Sequence, residues 1–335
     1  MTLQPPPLRS MPPRRFASGR MARLIVPTLL LVAGAACSTA PPPPRASPTG
    51  SPPGSAPGLR DGASARLANQ DGLLVAAGGP LRIVTADGAI GAFDHSSAPV
   101  VQVSSGGGVV IVVDPAFRAR LGTTSGSDRR AWRPFALPTD GRAERPLLAV
   151  SPDGATVAVA AGPVQARTFD LILIDVADGT RRSIAVDRAL NGPPAWLGVG
   201  SIAINVLGPD QHAVLDVVDT ATGEVRALPT YGSSIAASSD GSLVAIDDSA
   251  SGEVLVGTRA TLDAGDPAVM ARIPNPAGFA SEAMALSDDG TRLAIAWRSD
   301  RATSLEVLAH VDGAWMRGTP VAFGANAVLS IAWLR

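Results

Sequence analysis

The chain is poor in the residues that build disulfides and metal sites. It has no lysine, one cysteine and three histidines in 335 residues, and only 4% of its residues are aromatic. One cysteine cannot form an intrachain disulfide, and it excludes cysteine-based metal frameworks. His95, His212 and His310 are far apart and show no His-x-x-x-His or Glu-x-x-His spacing. We therefore expect no metal and no cofactor.

Neither sign of charge dominates the sequence. The formal net charge is -1, and the arginines, which supply every cationic side chain, are scattered along the chain. Nucleic acid is not an expected partner, because it requires clustered basic residues. Hydrophobic residues make up 46% of the chain, which is enough to build a core.

No apolar run is long enough for a membrane-spanning helix, which needs about 20 residues. The longest N-terminal run, Leu24 to Ala36, follows arginines 14, 15, 20 and 23 and ends in small residues before Cys37. This layout is typical of a cleaved signal segment. Val32 to Ser38 resembles a bacterial lipobox, and the resemblance implies that Cys37 is lipidated and becomes the mature N-terminus. Residues 1–37 are thus predicted to be a signal segment with a lipobox; an ordinary secretory signal with a chance cysteine is the alternative.

The next segment, residues 38–59, is predicted to be a disordered tether. It contains eight prolines among Ser, Thr, Gly and Ala, a composition that favours extended chain and cannot bury a core. Together with a lipid on Cys37, it predicts an extracytoplasmic protein anchored to the bacterial cell membrane.

Residues 60–335 repeat one pattern, an apolar strand, a polar turn that ends in glycine, and a second apolar strand. Asp or Ser in such a turn can accept hydrogen bonds from the local backbone, and Gly adopts the positive φ that a tight turn requires. The repeats lie about 40 residues apart, the length of a four-stranded propeller blade. Their terminal glycines are Gly72, Gly107, Gly154, Gly200, Gly241 and Gly290.

The end of the sequence completes the ring. Ala327 to Arg335 matches the first strand of a unit, with Trp333 aligned to Trp196, but lacks the strands that should follow. We therefore expect residues 328–334 to pair with the first blade, which removes exposed sheet edges. The predicted fold class is all-β, a six-bladed β-propeller; a seventh blade between Gly107 and Gly154 is the alternative.

The turns also carry a family resemblance. Ser151-Pro-Asp-Gly154, Ser239-Asp-Gly241 and Ser287-Asp-Asp-Gly290 look like the WD-like repeats of TolB-type propellers, and these motifs specify fold rather than activity. The order of lipobox, Pro-rich tether and propeller also resembles the LpqB-like actinobacterial lipoproteins. That family has a further domain between anchor and propeller, for which the tether leaves no room, and it implies a sensor-kinase partner.

No sequence motif identifies a reaction. The chain has no G-x-S-x-G elbow, P-loop or dinucleotide fingerprint, and only Gln102, Glu282 and Asn326 are polar at the starts of the predicted channel-lining strands. No catalytic residue is therefore assigned, and whether the protein is an enzyme stays open.

The leading hypothesis is a monomeric, non-enzymatic lipoprotein that binds a protein or cell-wall partner. The alternative is a propeller hydrolase or sugar-binding protein with its site at the channel mouth. The four strands of each unit are labelled a to d in chain order. The longer connections, from b to c and from d to the a strand of the next unit, share one face of a propeller, and repeat proteins commonly bind through such a face. The partner-binding candidates on these connections are Asp140, Arg142, Glu144, Arg145, Arg188, Tyr231, Arg298 and Arg301.

Overall fold

The computed structural model describes residues 72–85, 88–93, 98–124, 132–138, 146–162, 167–208, 210, 212–248, 251–266, 270–324 and 327–334. The signal segment, Cys37 and the tether lie outside these residues. Among the described residues, no helix is both long and apolar enough to cross a membrane.

The described strands form six separate antiparallel sheets, and each sheet is one blade. Blade 1 contains β1 Gly72–Ala76, β2 Arg82–Thr85 and β3 Ile90–Ala92. Blade 2 contains β4 Gln102–Gly106, β5 Val109–Val113, β6 Ala119–Thr123 and β7 Arg133–Phe135. Blade 3 contains β8 Leu147–Val150, β9 Thr156–Ala161, β10 Phe169–Asp175 and β11 Arg181–Val186.

The second half of the ring is built in the same way, with small additions. Blade 4 contains β12 Ala189–Leu190, β13 Ala195–Trp196, β14 Ser201–Leu207, β15 Ala213–Asp219 and β16 Val225–Tyr231. Blade 5 contains β17 Ile235–Ala237, β18 Leu243–Asp248, β19 Glu253–Thr258, a helix α1 Arg259–Ala264 and β20 Ala271–Pro274. Blade 6 contains β21 Ala280–Leu286, β22 Arg292–Arg298, β23 Thr303–Val311, β24 Ala314–Arg317 and β25 Val321–Gly324, and the last strand is β26 Ser330–Trp333.

The hydrophobic core is divided among the contacts between blades. Six clusters of buried side chains each lie between two neighbouring sheets. The second strands, such as β5 and β22, are therefore buried on both faces, which explains their runs of Val, Ile and Ala. The predicted six-bladed propeller is confirmed, and the described strands between Gly107 and Gly154 belong to blades 2 and 3.

Strand β26 closes the ring on blade 1. It pairs antiparallel with β1, with Trp333 opposite Leu73 and Ser330 opposite Ala76. The indole N–H of Trp333 donates to the carbonyl of Ala285 in blade 6 at 3.0 Å. Trp196 makes the equivalent bond from blade 4 to Ala149 of blade 3 at 3.1 Å. Both the predicted closure and the alignment of the two tryptophans are therefore confirmed.

The Ser-x-Asp-Gly turns are closed networks of hydrogen bonds. In blade 5 the Ser238 hydroxyl donates to Asp240 Oδ1 at 2.7 Å and accepts from the Leu243 N–H at 3.1 Å. The same carboxylate oxygen accepts from the Ser242 N–H at 2.9 Å. Blades 3 and 6 repeat this arrangement. The turn carboxylates thus have a structural role.

The Ser-x-Asp-Gly turn of blade 6 makes the free energy of unfolding depend on pH in the acid range. Hydrogen bonds from Ser287 and from the Thr291 N–H lower the pKa of Asp289 from 3.8 to about 2. The stabilisation is therefore fully present above about pH 4 and is lost as the pH falls toward 2. We expect Asp289→Asn to reduce urea stability at pH 7 and to flatten its pH dependence between 4 and 2. The exposed Asp300→Asn should leave that dependence unchanged, and an identical effect of both substitutions would contradict the assignment.

The a–b and c–d turns form one face of the propeller, which we call the turn face. Turns of neighbouring blades on this face also touch one another. A Cβ on Gly107 of blade 2 would lie 2.1 Å from the Asp153 carbonyl carbon of blade 3. A Cβ on Gly241 of blade 5 would lie 2.4 Å from the Leu197 carbonyl carbon of blade 4. Glycine is required at these positions because two backbones approach there, in addition to the positive φ of each residue.

Arginines join the outer parts of adjacent blades. Arg182 of blade 3 donates to the carbonyl of Thr220 in blade 4 at 2.7 Å, and Arg226 of blade 4 pairs with Asp263 in α1 of blade 5 at 2.8 Å. Similar bonds to backbone carbonyls connect further blades, from Arg133 to Val176, from Arg181 to Ala136 and from Arg317 to Pro274. A planar guanidinium with several donors can reach such carbonyls across an interface.

Helix α1 departs from the expected strand-only body. It occupies the c–d connection of blade 5. The Thr258 hydroxyl caps its N-terminus by accepting from the Thr261 N–H, and Gly265 ends it in the left-handed conformation. Six residues are too few to show a helical period, so the sequence pattern did not reveal this element.

Candidate functional site

The innermost strands of all six blades surround a central channel with a volume of about 650 Å³. Its wall is formed by β4, β8, β13, β17, β21 and β26 with the residues that precede them. The d–a and b–c connections lie at one mouth, which we call the loop mouth. A site on this axis can therefore receive side chains from every blade.

Polar side chains in the channel wall join neighbouring inner strands. The Gln102 amide donates to the Leu148 carbonyl at 3.2 Å. The Ser330 hydroxyl donates to the Val103 carbonyl at 2.9 Å, and the Ser105 hydroxyl donates to the Trp333 carbonyl. The sequence pattern predicted inner strands that are nearly all apolar. The channel wall contains more neutral hydrogen-bonding side chains than this prediction.

One ion pair lies at the loop mouth. Arg298 Nη1 donates to Glu282 Oε1 at 2.7 Å, and the Arg298 side chain is 57% exposed whereas that of Glu282 is 16% exposed. A β-bulge between Ser281 and Ala283 interrupts the register of β21 beside Glu282. Among the residues that the structure describes, none donates a hydrogen bond to the second oxygen, Glu282 Oε2, which is buried.

A buried carboxyl lies in the blade next to this pair. Asp247, at the end of β18, accepts a hydrogen bond from the Ser233 hydroxyl. Burial raises the pKa of Asp247 above its ordinary value, while the Ser233 and Ser281 hydroxyls act in the opposite direction. Ser233 also lines the channel. Hydroxyls and carboxyls of blades 5 and 6 therefore lie with the Arg298 guanidinium at the loop mouth.

Four of the predicted partner-binding residues are described by the structure. Arg298 lines the channel, and Arg301 is exposed in the b–c connection of the same blade. Arg188 pairs instead with the buried Asp216 of blade 4, with Nε 3.3 Å from Oδ2. Tyr231 is the last residue of β16. The other candidates, Asp140, Arg142, Glu144 and Arg145, lie outside the described residues, as does Cys37.

Arg188 therefore has a structural contact that the sequence did not reveal. Asp216 is 2% exposed, and burial raises its pKa while the charge of Arg188 lowers it. Removing the guanidinium would leave a buried carboxyl uncompensated. This contact anchors the connection between blades 3 and 4, and it makes Arg188 a poor probe of partner binding.

The channel does not resemble a metal centre. Among the residues that the structure describes, no group of three or more His, Cys, Asp or Glu side chains could hold a metal ion. His212 lies in blade 4 and His310 in blade 6, and His310 stacks on Trp315 with ring centroids 5.1 Å apart.

The propeller resembles solved structures at low sequence identity. No protein-family model matches the chain, and no curated protein matches it. TolB from Acinetobacter baumannii is 16% identical with a TM-score of 0.57, over 79% of this chain and 66% of that one. The chain has a TolB-like propeller fold.

Two further structures agree with this TolB-like fold. A putative TolB from Agrobacterium tumefaciens is 13% identical with a TM-score of 0.55, over 78% of this chain and 92% of that one. A chain of the nidogen/laminin complex is 13% identical with a TM-score of 0.57, over 79% of this chain and 98% of that one. At these identities the likeness describes the fold and leaves the ligand open.

Proposed function

We propose that this protein is a non-enzymatic envelope lipoprotein that binds a protein partner through the loop face of its propeller. The loop face is the surface formed by the d–a and b–c connections. The proposal rests mainly on the different use of polar groups at the two faces. The nidogen/laminin complex, a protein–protein complex by its name, contains a chain of similar fold.

On the turn face, carboxyl groups accept hydrogen bonds from within their own turns. The carboxyls of Asp153, Asp240 and Asp289 each accept a turn serine and a backbone N–H. Turns of neighbouring blades are in backbone contact as well. This face is therefore poorly suited to rearrange around a partner.

Exposed charged side chains also lie on the loop face. They come from three described blades: Arg167, Asp170, Asp187, Asp210, Asp300 and Arg301. Exposed charges at an interface rim steer association and select partners. The layout with lipobox and tether, which resembles LpqB-like lipoproteins, would hold this face near other envelope proteins while the lipid on Cys37 anchors the chain.

The anchor is tested by Cys37→Ser. Without its only thiol the chain cannot be lipidated, so we expect it to move from the membrane fraction to the soluble extracytoplasmic fraction. Fractionation followed by immunoblotting measures this change. Ser38→Ala is the matched control and should stay with the membrane. Retention of the Cys37→Ser protein in the membrane would disprove the lipoprotein assignment.

The binding face is tested by charge reversal and crosslinking in intact cells. We expect the Arg142→Glu, Arg145→Glu and Arg301→Glu triple variant to capture at least about fivefold less of its crosslinked partner, because rim charges control encounter. Glu224→Arg on the turn face is the control. Thermal unfolding of each variant verifies folding. Unchanged capture by the triple variant, or equal loss in the control, would refute the choice of face.

A further inference from the structure

We propose that the loop mouth of the channel is a binding site for a neutral carbohydrate, with Glu282 and Arg298 receiving two adjacent hydroxyl groups. This site is additional to the protein partner proposed above and does not depend on it. It would make the propeller a glycan-binding body with a second, separate surface for protein.

The ion pair supplies the first argument, because each member keeps unused hydrogen-bonding capacity. Glu282 lines the channel with its side chain 16% exposed, and its Oε1, which accepts from Arg298, can accept a second hydrogen bond. Arginine has five N–H donors, and the Arg298 side chain is more than half exposed where it lines the channel. An acceptor and a donor therefore stand side by side. Two neighbouring hydroxyls of a sugar match this pair, since one can donate to the carboxylate while the other accepts from the guanidinium.

The remaining wall supplies the second argument. Apart from this pair, the described side chains that line the cavity are neutral. Hydroxyls and amides alternate there with apolar groups: Gln102, Ser104, Asn191, Ser233, Ser234 and Ser330 among Leu148, Ile235, Met284 and Ile331. Sugars have the same mixture of hydroxyl groups and C–H faces. The volume of about 650 Å³ lies within the usual range for small-molecule sites.

The backbone of the inner strands argues against a peptide in this channel. An extended peptide binds a sheet edge through main-chain hydrogen bonds. Here five carbonyls of the inner strands already accept from side chains of neighbouring blades, namely Val103, Leu148, Ala149, Ala285 and Trp333. A ligand that bonds to side-chain hydroxyls, amides and the ion pair fits this wall better than a ligand that needs a free edge.

The test is a binding titration of the purified full chain by isothermal titration calorimetry. The probes are maltotriose and N,N′,N″-triacetylchitotriose as neutral sugars, and N-acetyl-trialanine amide as a neutral peptide of comparable size. We expect at least one sugar to bind and the peptide not to bind. Because a lost hydrogen bond to a charged group is costly, the Kd of that sugar should rise about tenfold or more in Glu282→Gln and in Arg298→Ala.

Arg272→Ala is the matched control, since Arg272 also forms an ion pair with a glutamate, Glu253, at 2.6 Å but does not line the channel. It should leave the Kd within about twofold. Circular dichroism verifies that each variant is folded; if Glu282→Gln unfolds, Arg298→Lys replaces it, and loss of the planar fork should still weaken binding. Binding of the peptide in preference to both sugars, no binding of either sugar, or sugar binding indifferent to Glu282 and Arg298 would overturn the proposal. None of these results would affect partner capture at Arg142, Arg145 and Arg301, so the two proposals fail separately.

Discussion

Replacing Trp333 by alanine is expected to destabilise the propeller by about 3 to 5 kcal/mol, the usual cost of deleting a large buried aromatic side chain. The ring of Trp333 packs in the cluster between blades 6 and 1, and its N–H bonds to Ala285. The guanidinium of Arg292 lies 4.8 Å from the ring centroid. At about 2 to 4 °C per kcal/mol for a body of this size, the midpoint of thermal unfolding should fall by roughly 6 to 20 °C.

Trp315→Ala is the matched control for this substitution. Trp315 lies on the outer hairpin of blade 6, where it is only partly buried and stacks on His310. We expect its loss to cost about 1 kcal/mol. Thermal unfolding followed by circular dichroism compares the two variants. Equal midpoints would mean that closure of the ring by β26 contributes little to stability.

Gly241→Ala is expected to be the second most damaging substitution. Gly241 has a φ of +71°, and its new Cβ would meet the Leu197 carbonyl carbon at 2.4 Å. The positive φ costs a non-glycine residue about 1 to 2 kcal/mol, and the clash with backbone of the adjacent blade adds roughly 1 to 3 kcal/mol. Urea unfolding should therefore show a loss of roughly 2 to 5 kcal/mol.

Gly179→Ala separates these two contributions. Gly179 has a similar φ of +76°, but a Cβ at this position would have no atom within 4 Å. Its replacement should cost only the conformational penalty of about 1 to 2 kcal/mol. If Gly179→Ala proved as damaging as Gly241→Ala, contact between neighbouring turns could not be the reason why glycine is needed at position 241.

The fold could be predicted from the sequence because its determinants are local and repeated. Apolar strands recur in every blade, and Ser-x-Asp-Gly turns recur in blades 3, 5 and 6. Each of these turns is held by bonds within a few residues, as for Ser238 and Asp240. The closure by β26 was predictable for the same reason, since Trp333 repeats the position of Trp196. Helix α1 was missed because it is short and occurs in one blade only.

The site was less predictable because its contacts join residues that are distant in sequence. Glu282 was noted as polar and Arg298 as a loop residue, but nothing local indicates that a bulge in β21 brings them to 2.7 Å. Arg298 was expected in a loop, whereas it is the last residue of β22. The partner of Arg188 was missed likewise, since Asp216 comes from the middle of a strand in blade 4.

The pairing of β1 with β26 also determines when the protein can finish folding. Blade 1 lacks its innermost strand until β26 has been synthesised, so the ring remains open while blades 2 to 6 are made. Contacts between segments so far apart in sequence form late and slowly. The propeller can therefore close only after the whole chain through β26 has been made.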